Sequence, residues 1–341
     1  MKVNKILIVG IGSIGLKHFN IAKNLLPKAK IAILSKRKDL QFLNIREDLK
    51  YSKIEDAILF KPDIVIICNS AAHHIQYTKP FIDIGSSILI EKPISNNAIE
   101  AELFEKYLKN KSNKITIGYN MRYINSLLKF KEYIQSGKIG EIFSIRCDVG
   151  QNLLTWRKNS DYKKDVSANK KLGGGVLLEL SHEIDYLLWI FKDIEWVSAV
   201  VLKRSNLEID VEDTAHINLG IKSNITNNKI TVANINMDFI RRDITRSCIV
   251  IGEKSTLKWN GIDGSLDILK SDEGIWKNLS KDEFNSESSY YAEWKNLINS
   301  IQGLPNLLIS PHEAVRVLKI IELIKLSNKK ERKIYNPNFK I

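Results

Sequence analysis

The sequence predicts an α/β protein with two domains. Its 341 residues are about twice the ~150 residues of a typical domain. Residues 1–120 alternate short apolar runs with helical patterns, which predicts a doubly wound parallel sheet. Residues 121–341 combine helical patterns with alternating polar and apolar runs. They predict an α+β domain with a large, mainly antiparallel open sheet.

Each strand of the first domain is predicted by a short apolar run, and each helix by amphipathic spacing that ends near a proline or glycine. The predicted strands are residues 5–9, 31–34, 63–67, 87–90 and 114–117. The predicted helices follow the first strand up to residue 26 and cover residues 74–84 and 97–109.

In the second domain, residues 124–136 predict a helix and residues 141–149 a strand. Residues 151–172 are polar and predict a long loop, of the kind that often has a function. A single helix is predicted for residues 176–191, strands for about 197–270, and closing helices for 290–301 and 311–327.

Composition excludes several classes of protein. The apolar fraction is 44% and the charged fraction 27%, which is ordinary for a globular chain. No run of about 18 apolar residues predicts a membrane span, and no signal peptide is expected. Three scattered cysteines indicate neither disulfides nor a zinc site, so we expect a cytoplasmic protein. The net charge of +13 raises the alternative of nucleic-acid binding, but the basic residues do not cluster.

A glycine-rich turn after the first strand predicts a dinucleotide site. Gly10, Gly12 and Gly15 form a GxGxxG motif between a predicted strand and a predicted helix. Gly10 permits the tight turn, Gly12 lets the backbone approach a pyrophosphate, and Gly15 allows close helix–strand packing. The helix would start at Ser13 and Ile14 and direct its first amides at the phosphates. A plain strand–turn–helix junction is the alternative.

Basic residues after the second strand predict NADP(H) rather than NAD(H). An NAD site usually has an acid about 20 residues after the motif. Here Ser35, Lys36 and Arg37 occupy that place, and no acid comes before Asp39. Cations there would attract a 2′-phosphate. A generally basic surface is the alternative, since exposed lysines are common.

Several motifs occur together in an order and spacing typical of one family. They are the glycine-rich turn, Cys68-Asn69-Ser70 with His74, Glu91-Lys92-Pro93, Gly118-Tyr119-Asn120-Met121-Arg122-Tyr123, Gly173-Gly174-Gly175 and the segment from His182 to Asp185. Jointly they resemble the glucose-fructose oxidoreductase / inositol dehydrogenase / rhizopine-catabolism family over nearly the whole chain. The resemblance implies a Rossmann domain and oxidation or reduction of a sugar, cyclitol or sugar nucleotide.

The resemblance also implies which residues form the site. It places the family's active-site lysine at Lys92, next to a cis bond before Pro93. The residues expected to bind the cofactor, beyond the glycine-rich turn and residues 35–37, are Asn69, Ser70, His74, Glu91 and Lys92. The residues expected to bind substrate are Lys92, Asn120, Arg122, Trp156, Arg157, Tyr162, Glu179 and His182.

Lys92 is the first predicted catalytic residue. It follows a strand end, where an open α/β sheet places its ligands. An amine partly removed from water beside a cationic nicotinamide gives up its proton more readily, which suits proton transfer with a substrate hydroxyl. A surface lysine before a turn-forming proline is the alternative.

His182 is the second predicted catalytic residue. Glu179 lies three residues before it and Asp185 three residues after it, so both acids are expected beside it on one helix. A carboxylate can fix the tautomer of the imidazole and so favour a proton relay. The family has its acid four residues before this histidine, which leaves the role of Glu179 open. No histidine and acid spacing indicates a metal site.

The polar loop supplies the remaining substrate residues. The rings of Trp156 and Tyr162 suit a sugar face, and Arg157 suits a carboxylate or phosphate. Ordinary anchoring of the loop is the alternative. The loop and the helix after it are similar to a subgroup found beside surface-polysaccharide or sialic-acid-like sugar pathways, which implies an amino-sugar or nucleotide-sugar substrate.

The predicted function is therefore an NADP- or NAD-dependent oxidoreductase acting on a sugar, cyclitol or nucleotide sugar. Two alternatives are a non-catalytic dinucleotide sensor and an enzyme that uses a redox step to cleave glycosides. Neither a nucleic acid nor a membrane is an expected partner. A homo-oligomer, dimer or tetramer, is expected because exposed sheet faces and edges tend to be covered.

Overall fold

A computed structural model of the chain describes residues 3–37, 40, 43, 45–156, 161–281 and 287–337. The chain forms two compact units. The first contains Met1–Asn120 and Tyr290–Arg316, and the second contains Met121–Ser289 and Val317–Ile341. The division after Asn120 falls where the sequence places it. Residues 290–316, in contrast, join the first unit, whereas the sequence assigns them to the second domain.

The first unit is built on a six-stranded parallel sheet in the order β3-β2-β1-β4-β5-β6. Every residue of β4 and the last four of β1 are buried, so both faces of the sheet are covered. This confirms the doubly wound parallel sheet. The strands are β1 (Lys5–Val9), β2 (Lys30–Leu34), β3 (Lys50–Tyr51), β4 (Ile64–Ile67), β5 (Ser87–Glu91) and β6 (Ile115–Gly118).

Four helices connect these strands, and local signals explain their ends. Asn97 caps the last of them, because its side-chain oxygen accepts hydrogen bonds from the amides of Ile99 and Glu100. The third is followed by Gly85, which has a φ of +87°. The helices are α1 (Ser13–Leu25), α2 (Ile54–Leu59), α3 (His74–Asp83) and α4 (Ala98–Leu108). The short elements α2 and β3 are not predicted from the sequence.

The second unit is built on a mixed, mostly antiparallel nine-stranded sheet in the order β14-β13-β12-β11-β7-β10-β9-β8-β15. Within it β7 pairs with β10 in parallel and with β11 in antiparallel orientation. The strands are β7 (Ile142–Gly150), β8 (Ile194–Leu202), β9 (Thr214–Ile221), β10 (Thr231–Asp238), β11 (Thr245–Gly252), β12 (Ser255–Asn260), β13 (Ser265–Lys270), β14 (Lys277–Lys281) and β15 (Ile334–Tyr335). This confirms the predicted large, mainly antiparallel sheet.

One face of this sheet is covered and the other open, as β10 shows. In β10, Ala233, Ile235 and Met237 are buried, whereas Asn234 and Asn236 between them are exposed. Successive side chains of a strand point to opposite faces, so the period-two pattern of the sequence determines which face is covered.

The helices of the second unit differ from the prediction at one important place. The expected single helix over residues 176–191 is two helices, because Leu180 leaves the helical region with φ −101° and ψ 27°. A new helix then starts after Ser181. The polar loop 151–172 contains short helical turns in its described part. The helices are α5 (Asn125–Gln135), α6 (Leu153–Trp156), α7 (Val176–Glu179) and α8 (His182–Phe191).

The last two helices are α9 (Ser288–Gln302) and α10 (Pro311–Lys330). Trp294 and Leu297 are fully buried in the core cluster of the first unit, which includes Ile6 and Ile8. Segment 290–316 belongs to the first unit because these side chains complete its core. Among the helices described here, none combines the length and apolar character that a membrane span requires.

Candidate functional site

Strand register brings the predicted cofactor residues to one edge of the parallel sheet. Val9 of β1 lies level with Leu34 of β2 and with Ile67 of β4, and Ile67 lies level with Ile90 of β5. The segments that follow these strands therefore leave the sheet at the same edge, where ligands bind in open α/β sheets. They are the glycine-rich turn, residues 35–37, residues 68–70 and residues 91–93.

The glycine-rich turn has the geometry its motif predicts. Gly10 has a φ of +86°, and a Cβ built on it would lie 2.8 Å from the amide nitrogen of Asn69. A Cβ on Gly15 would overlap the carbonyl oxygen of Gly10. A Cβ on Gly12, in contrast, would meet no described atom within 4 Å. Gly10 and Gly15 thus serve the fold, while Gly12 presents bare backbone on the outer side of the turn.

The N-terminus of α1 fits an anion. The helix starts at Ser13, which is exposed, and Ile14 is half-buried. Its first turn contains no acidic residue. The amides of a first helical turn lack partners within the helix and carry a partial positive charge. The residues present therefore fit the pyrophosphate of a dinucleotide.

The segment after β2 is exposed and basic. The amide of Ser35 donates to the carbonyl of Tyr51, and the amide of Arg37 donates to Ser35 Oγ at 3.1 Å. Lys36 and Arg37 are exposed. Lys38 and Asp39 lie outside the described residues. The turn is thus fixed by its backbone, and the two cations extend into solvent at the edge where the glycine-rich turn lies.

His74 holds two of the edge segments together. Its Nδ1 lies 2.8 Å from the carbonyl oxygen of Pro93 and its Nε2 lies 2.9 Å from that of Asn69. The ring is 1% exposed. Burial lowers the pKa of His74, while the two backbone contacts partly offset the shift. The structure therefore shows a histidine that ties the turns after β4 and β5, and Ser70 lies half-buried in the first of them.

Lys92 lies immediately after β5 and is half-buried. The peptide bond between Lys92 and Pro93 is cis, as the resemblance implied. Glu91, expected to contact the cofactor, is 8% exposed and points into the unit. One of its oxygens lies 2.8 Å from His18 Nε2, and the other accepts from the backbone amide of Lys92 at 3.2 Å.

His182 is the first residue of α8 and is 8% exposed. All ten residues of α8 are buried. Two glycines of the preceding turn adopt positive φ, +91° at Gly173 and +103° at Gly175. A β-carbon is strained in that region, so this turn requires the glycines that the sequence analysis singled out.

The acids around His182 have different partners from those predicted. Because Glu179 ends α7 and His182 starts α8, they are not neighbours on one helix, and a Glu179 oxygen accepts from Ser167 Oγ at 3.1 Å. Asp185 receives two hydrogen bonds from Arg122, at 2.6 and 2.9 Å. The expectation that Glu179 lies beside the imidazole on one helix is wrong, because the helix is interrupted at Leu180, whereas Asp185 does lie on the helix of His182.

The two acids of the first turn of α8 are anchored by arginines from distant parts of the second unit. Arg122, expected to bind substrate, is 3% exposed and lies 5.5 Å from the centre of the Trp189 ring. Glu183 is fully buried and receives a hydrogen bond from Arg246 Nε at 2.8 Å. These ion pairs hold the helix that begins with His182. Nothing in the sequence indicated Arg246.

The other predicted substrate residues lie in loops and turns. Asn120 is 7% exposed and starts a short 3₁₀ turn. The ring of Trp156 packs edge-on against Phe239, with centroids 5.5 Å apart. Tyr162 is half-buried, and its hydroxyl accepts from the amide of Glu208. Arg157 lies outside the described residues.

Tyr162 and Phe239 also line a cavity of about 280 Å³ within the second unit. Arg242 contributes a cation to its wall, and Asn152 and Asn206 contribute amides. A concave surface with aromatic rings, amides and one cation suits a polar, partly anionic small molecule.

Comparison with known families decides the identity of the fold. Residues 4–119 match a model described as an oxidoreductase family with an NAD-binding Rossmann fold. Residues 131–335 match the C-terminal alpha/beta domain of the same oxidoreductase family. The chain belongs to the GFO/IDH/MocA oxidoreductase family. This confirms the resemblance drawn from the motifs.

Curated relatives of this family member are distant. The NADP(+)-dependent scyllo-inositol 2-dehydrogenase IolW of Bacillus subtilis is 24% identical over 80% of the chain and 78% of its own length. An uncharacterized oxidoreductase of Escherichia coli, YhhX, is 33% identical over 26% of the chain. The match spans only 27% of the length of YhhX and 40% and 41% of the lengths of two other curated oxidoreductases.

Solved structures share the fold over the full length. A levoglucosan dehydrogenase in complex with NADH has a TM-score of 0.83 at 17% identity, covering 98% of the chain and 100% of that protein. The WlbA dehydrogenase of Bordetella pertussis, in complex with NADH and UDP-GlcNAcA, has a TM-score of 0.81 at 18% identity, with coverage of 98% and 99%.

Proposed function

We propose that this family member is an NAD(P)-dependent oxidoreductase that transfers hydride between nicotinamide and a hydroxyl or carbonyl carbon of a sugar, cyclitol or nucleotide sugar. The observation that carries the proposal is the shared strand edge of the first unit. There the glycine-rich turn, the basic segment 35–37 and Lys92 follow the parallel strands β1, β2 and β5, with β4 between β1 and β5. This is the edge at which a doubly wound sheet binds its ligand.

The dinucleotide is assigned to residues whose exposure suits it. The turn at Gly12 and the first amides of α1 hold the pyrophosphate, and Asn69 and Ser70 line the neighbouring turn. Lys36 and Arg37 are exposed after β2, which supports NADP(H) as the preferred cofactor because cations favour a 2′-phosphate. When bound, the nicotinamide ring accepts or donates the hydride.

We assign proton transfer to Lys92 and His182. Oxidation of an alcohol removes a hydride from carbon and a proton from oxygen, so a group able to take that proton must lie beside the hydroxyl. Lys92 is half-buried at a strand end. His182 starts a helix held by two buried ion pairs. Each is therefore fixed in place, as an acid–base group requires.

The substrate is proposed to be an amino sugar or nucleotide sugar of surface-polysaccharide or sialic-acid-like biosynthesis. The rings of Trp156 and Tyr162 and the cation of Arg242 support a sugar with an anionic group. The WlbA dehydrogenase, which shares the fold, binds UDP-GlcNAcA. Arg122 is reassigned from substrate binding to anchoring of α8, because its guanidinium is buried against Asp185.

We further propose a cytoplasmic homo-oligomer, either a dimer or a tetramer. Its three cysteines are free thiols, as expected in a reducing compartment. The nine-stranded sheet leaves one face open, which exposes Asn234 and Asn236 of β10 together with the apolar side chains of Phe143 and Val200, and such faces are often covered by a second copy.

Titration of the purified protein with NADPH and NADH tests the function, using tryptophan-excited nicotinamide fluorescence. Tight binding of NADPH with weaker binding of NADH is the expected result. Preference for NADH would refute the role of Lys36 and Arg37 in binding a 2′-phosphate, but it would leave the proposed oxidoreductase function in place. If the folded protein binds neither NADPH nor NADH, the proposed oxidoreductase function is refuted. A screen of sugars and nucleotide sugars for a change in NADPH absorbance then identifies the substrate.

A further inference from the structure

A buried cluster of titratable groups lies within the first unit, beside Lys92. One nitrogen of His18 and one carboxylate oxygen each of Glu91 and Glu293 lie within 4.8 Å of one another. His18 and Glu293 are fully buried, and Glu91 is 8% exposed. The three come from α1, β5 and α9, so the fold brings them together from distant parts of the sequence.

The hydrogen bonds of His18 determine its tautomer. Trp294 Nε1, which can only donate, lies 2.8 Å from His18 Nδ1. Nδ1 is therefore the accepting nitrogen, and Nε2 bears the hydrogen that is donated to Glu91 at 2.8 Å. A metal ion would need the lone pair of Nε2. The indole donor thus favours a hydrogen-bonded network over a metal site.

The two carboxyl groups of this network differ in their hydrogen bonds. Glu91 accepts from His18 Nε2 and from the backbone amide of Lys92. Neither oxygen of Glu293 has a hydrogen-bond partner among the described residues, although both are buried. Two carboxylates this close in a buried site do not both ionise, and donated hydrogen bonds stabilise the charged one. The negative charge therefore belongs on Glu91.

We propose that Glu293 is a protonated carboxylic acid at neutral pH, and that its proton keeps Glu91 as the single anion of a buried network that positions Lys92. The proposal rests on the proposed function for the role of Lys92, but the protonation itself does not. Glu293 is a positioning residue that acts through Glu91. Burial and then the charge of Glu91 raise the pKa of Glu293 well above its usual range.

Among the described residues, the groups that face Glu293 supply no compensating positive charge. Glu91 comes from β5, neutral His18 from α1, and Cys68 from the end of β4, where burial and the charge of Glu91 raise the pKa of its thiol. Lys17 lies further out, 4.4 Å from the ring centre of Tyr290. Ionised Glu293 would place a second negative charge behind Lys92, whereas the protonated form can donate to Glu91 through a bridging water.

The protonation is tested on cofactor-free protein with the isosteric variant Glu293→Gln. Since the folded-state pKa of Glu293 is raised, the wild type loses stability as pH rises from about 4.3, the usual pKa of glutamate, through the folded-state value. Glutamine does not titrate. We expect equal unfolding midpoints near pH 4 and a midpoint at least about 2 °C higher for the variant at pH 8.

Two comparisons make this result decisive. Glu331→Gln removes an exposed carboxylate, and we expect it to show no such pH-dependent gain. Infrared difference spectra should contain the carbonyl band of a protonated carboxylic acid at neutral pH, and Glu293→Gln should remove it. A variant that is less stable by the same amount at every pH, with no such band, would show that Glu293 is ionised and overturn the proposal.

The positioning role is tested with the pH profile of kcat/KM. Glu293→Leu, which cannot donate, should lower kcat about tenfold with little change in dinucleotide affinity, and Glu293→Gln should restore it. Glu91→Gln should shift the pH profile, because it removes the anion. If Glu293→Leu and Glu293→Gln lower kcat equally, the proton of Glu293 does not help to position Lys92. If no dinucleotide binds, the proposed function fails, while the result on cofactor-free protein still stands.

Discussion

The residues assigned to the site are held in different ways in the two units. In the first unit the edge is formed by backbone turns, and the contact that shapes the glycine-rich turn joins Gly10 and Gly15, which are close in sequence. In the second unit, His182 depends on ion pairs between residues 63 positions apart. Backbone turns leave contiguous motifs in a sequence, whereas pairs of side chains from distant elements leave none. The contiguous motifs of the first unit could therefore be located in the sequence, whereas the ion pairs that hold α8 could not.

Replacing the lysine at the cofactor edge should have the largest effect. Lys92→Ala removes the proposed acid–base group, so turnover should fall about 10²–10⁴-fold while the affinity for dinucleotide changes little. Steady-state kinetics and fluorescence titration measure the two quantities. Lys109→Ala removes an exposed lysine of the same unit and serves as the control. Near-normal turnover of Lys92→Ala would remove the catalytic assignment.

Breaking an anchor of α8 should mainly affect stability. Arg122→Ala removes the two hydrogen bonds that a guanidinium gives to the buried carboxylate of Asp185, which should lower the free energy of unfolding by about 3–5 kcal/mol. Denaturant unfolding measures this loss. Arg46→Ala breaks an exposed pair with Asp48 and should change stability by about 1 kcal/mol or less. Equal losses of unfolding free energy in the two variants would show that the buried ion pair stabilises the protein no more than the exposed one.

Substitutions of two glycines in the same motif should distinguish a role in folding from a role in dinucleotide binding. Gly15→Ala forces a methyl group into the carbonyl of Gly10, so it should destabilise the fold by about 1–3 kcal/mol. Gly12→Ala meets no described atom and should change stability by about 1 kcal/mol or less, yet weaken dinucleotide binding. Thermal unfolding and fluorescence titration distinguish the two. Normal binding by Gly12→Ala would show that the pyrophosphate does not approach this turn.

The smallest expected effect is on the preference for NADPH over NADH. Removing the two cations in a Lys36→Ala, Arg37→Ala variant should weaken NADPH binding about tenfold or more and leave NADH binding nearly unchanged. The ratio of the two dissociation constants is the measurement. The effect should diminish as salt concentration rises, because both side chains are exposed. A parallel loss of both cofactors would indicate a general electrostatic effect.

Local pattern predicted most of the fold. The run from Lys5 to Val9 forms β1 with the predicted bounds, and the alternation in β10 determines its buried face. The break at Leu180 was missed, because apolar spacing continues through it and hides the change of backbone angles. Element α2 was missed because six residues are too few to show periodicity.

Prediction of the site failed where partners are far apart along the chain. The pairing of Asp185 with Arg122, and the contact of Trp294 with His18, depend on how distant segments pack. No spacing rule within one segment could find them. The same limit explains why the sequence did not show that segment 290–316 packs with the first unit. Its helical pattern was evident, but only the burial of Trp294 against the first core shows where it belongs.

The return of the chain to the first unit has a consequence for biosynthesis. A ribosome releases residues 1–120 long before residues 290–316 exist, and the contact between His18 and Trp294 spans 276 positions. Such distant contacts slow folding and leave apolar surface exposed in the meantime. The nascent first unit must therefore wait, with an incomplete core, until most of the polypeptide has been translated.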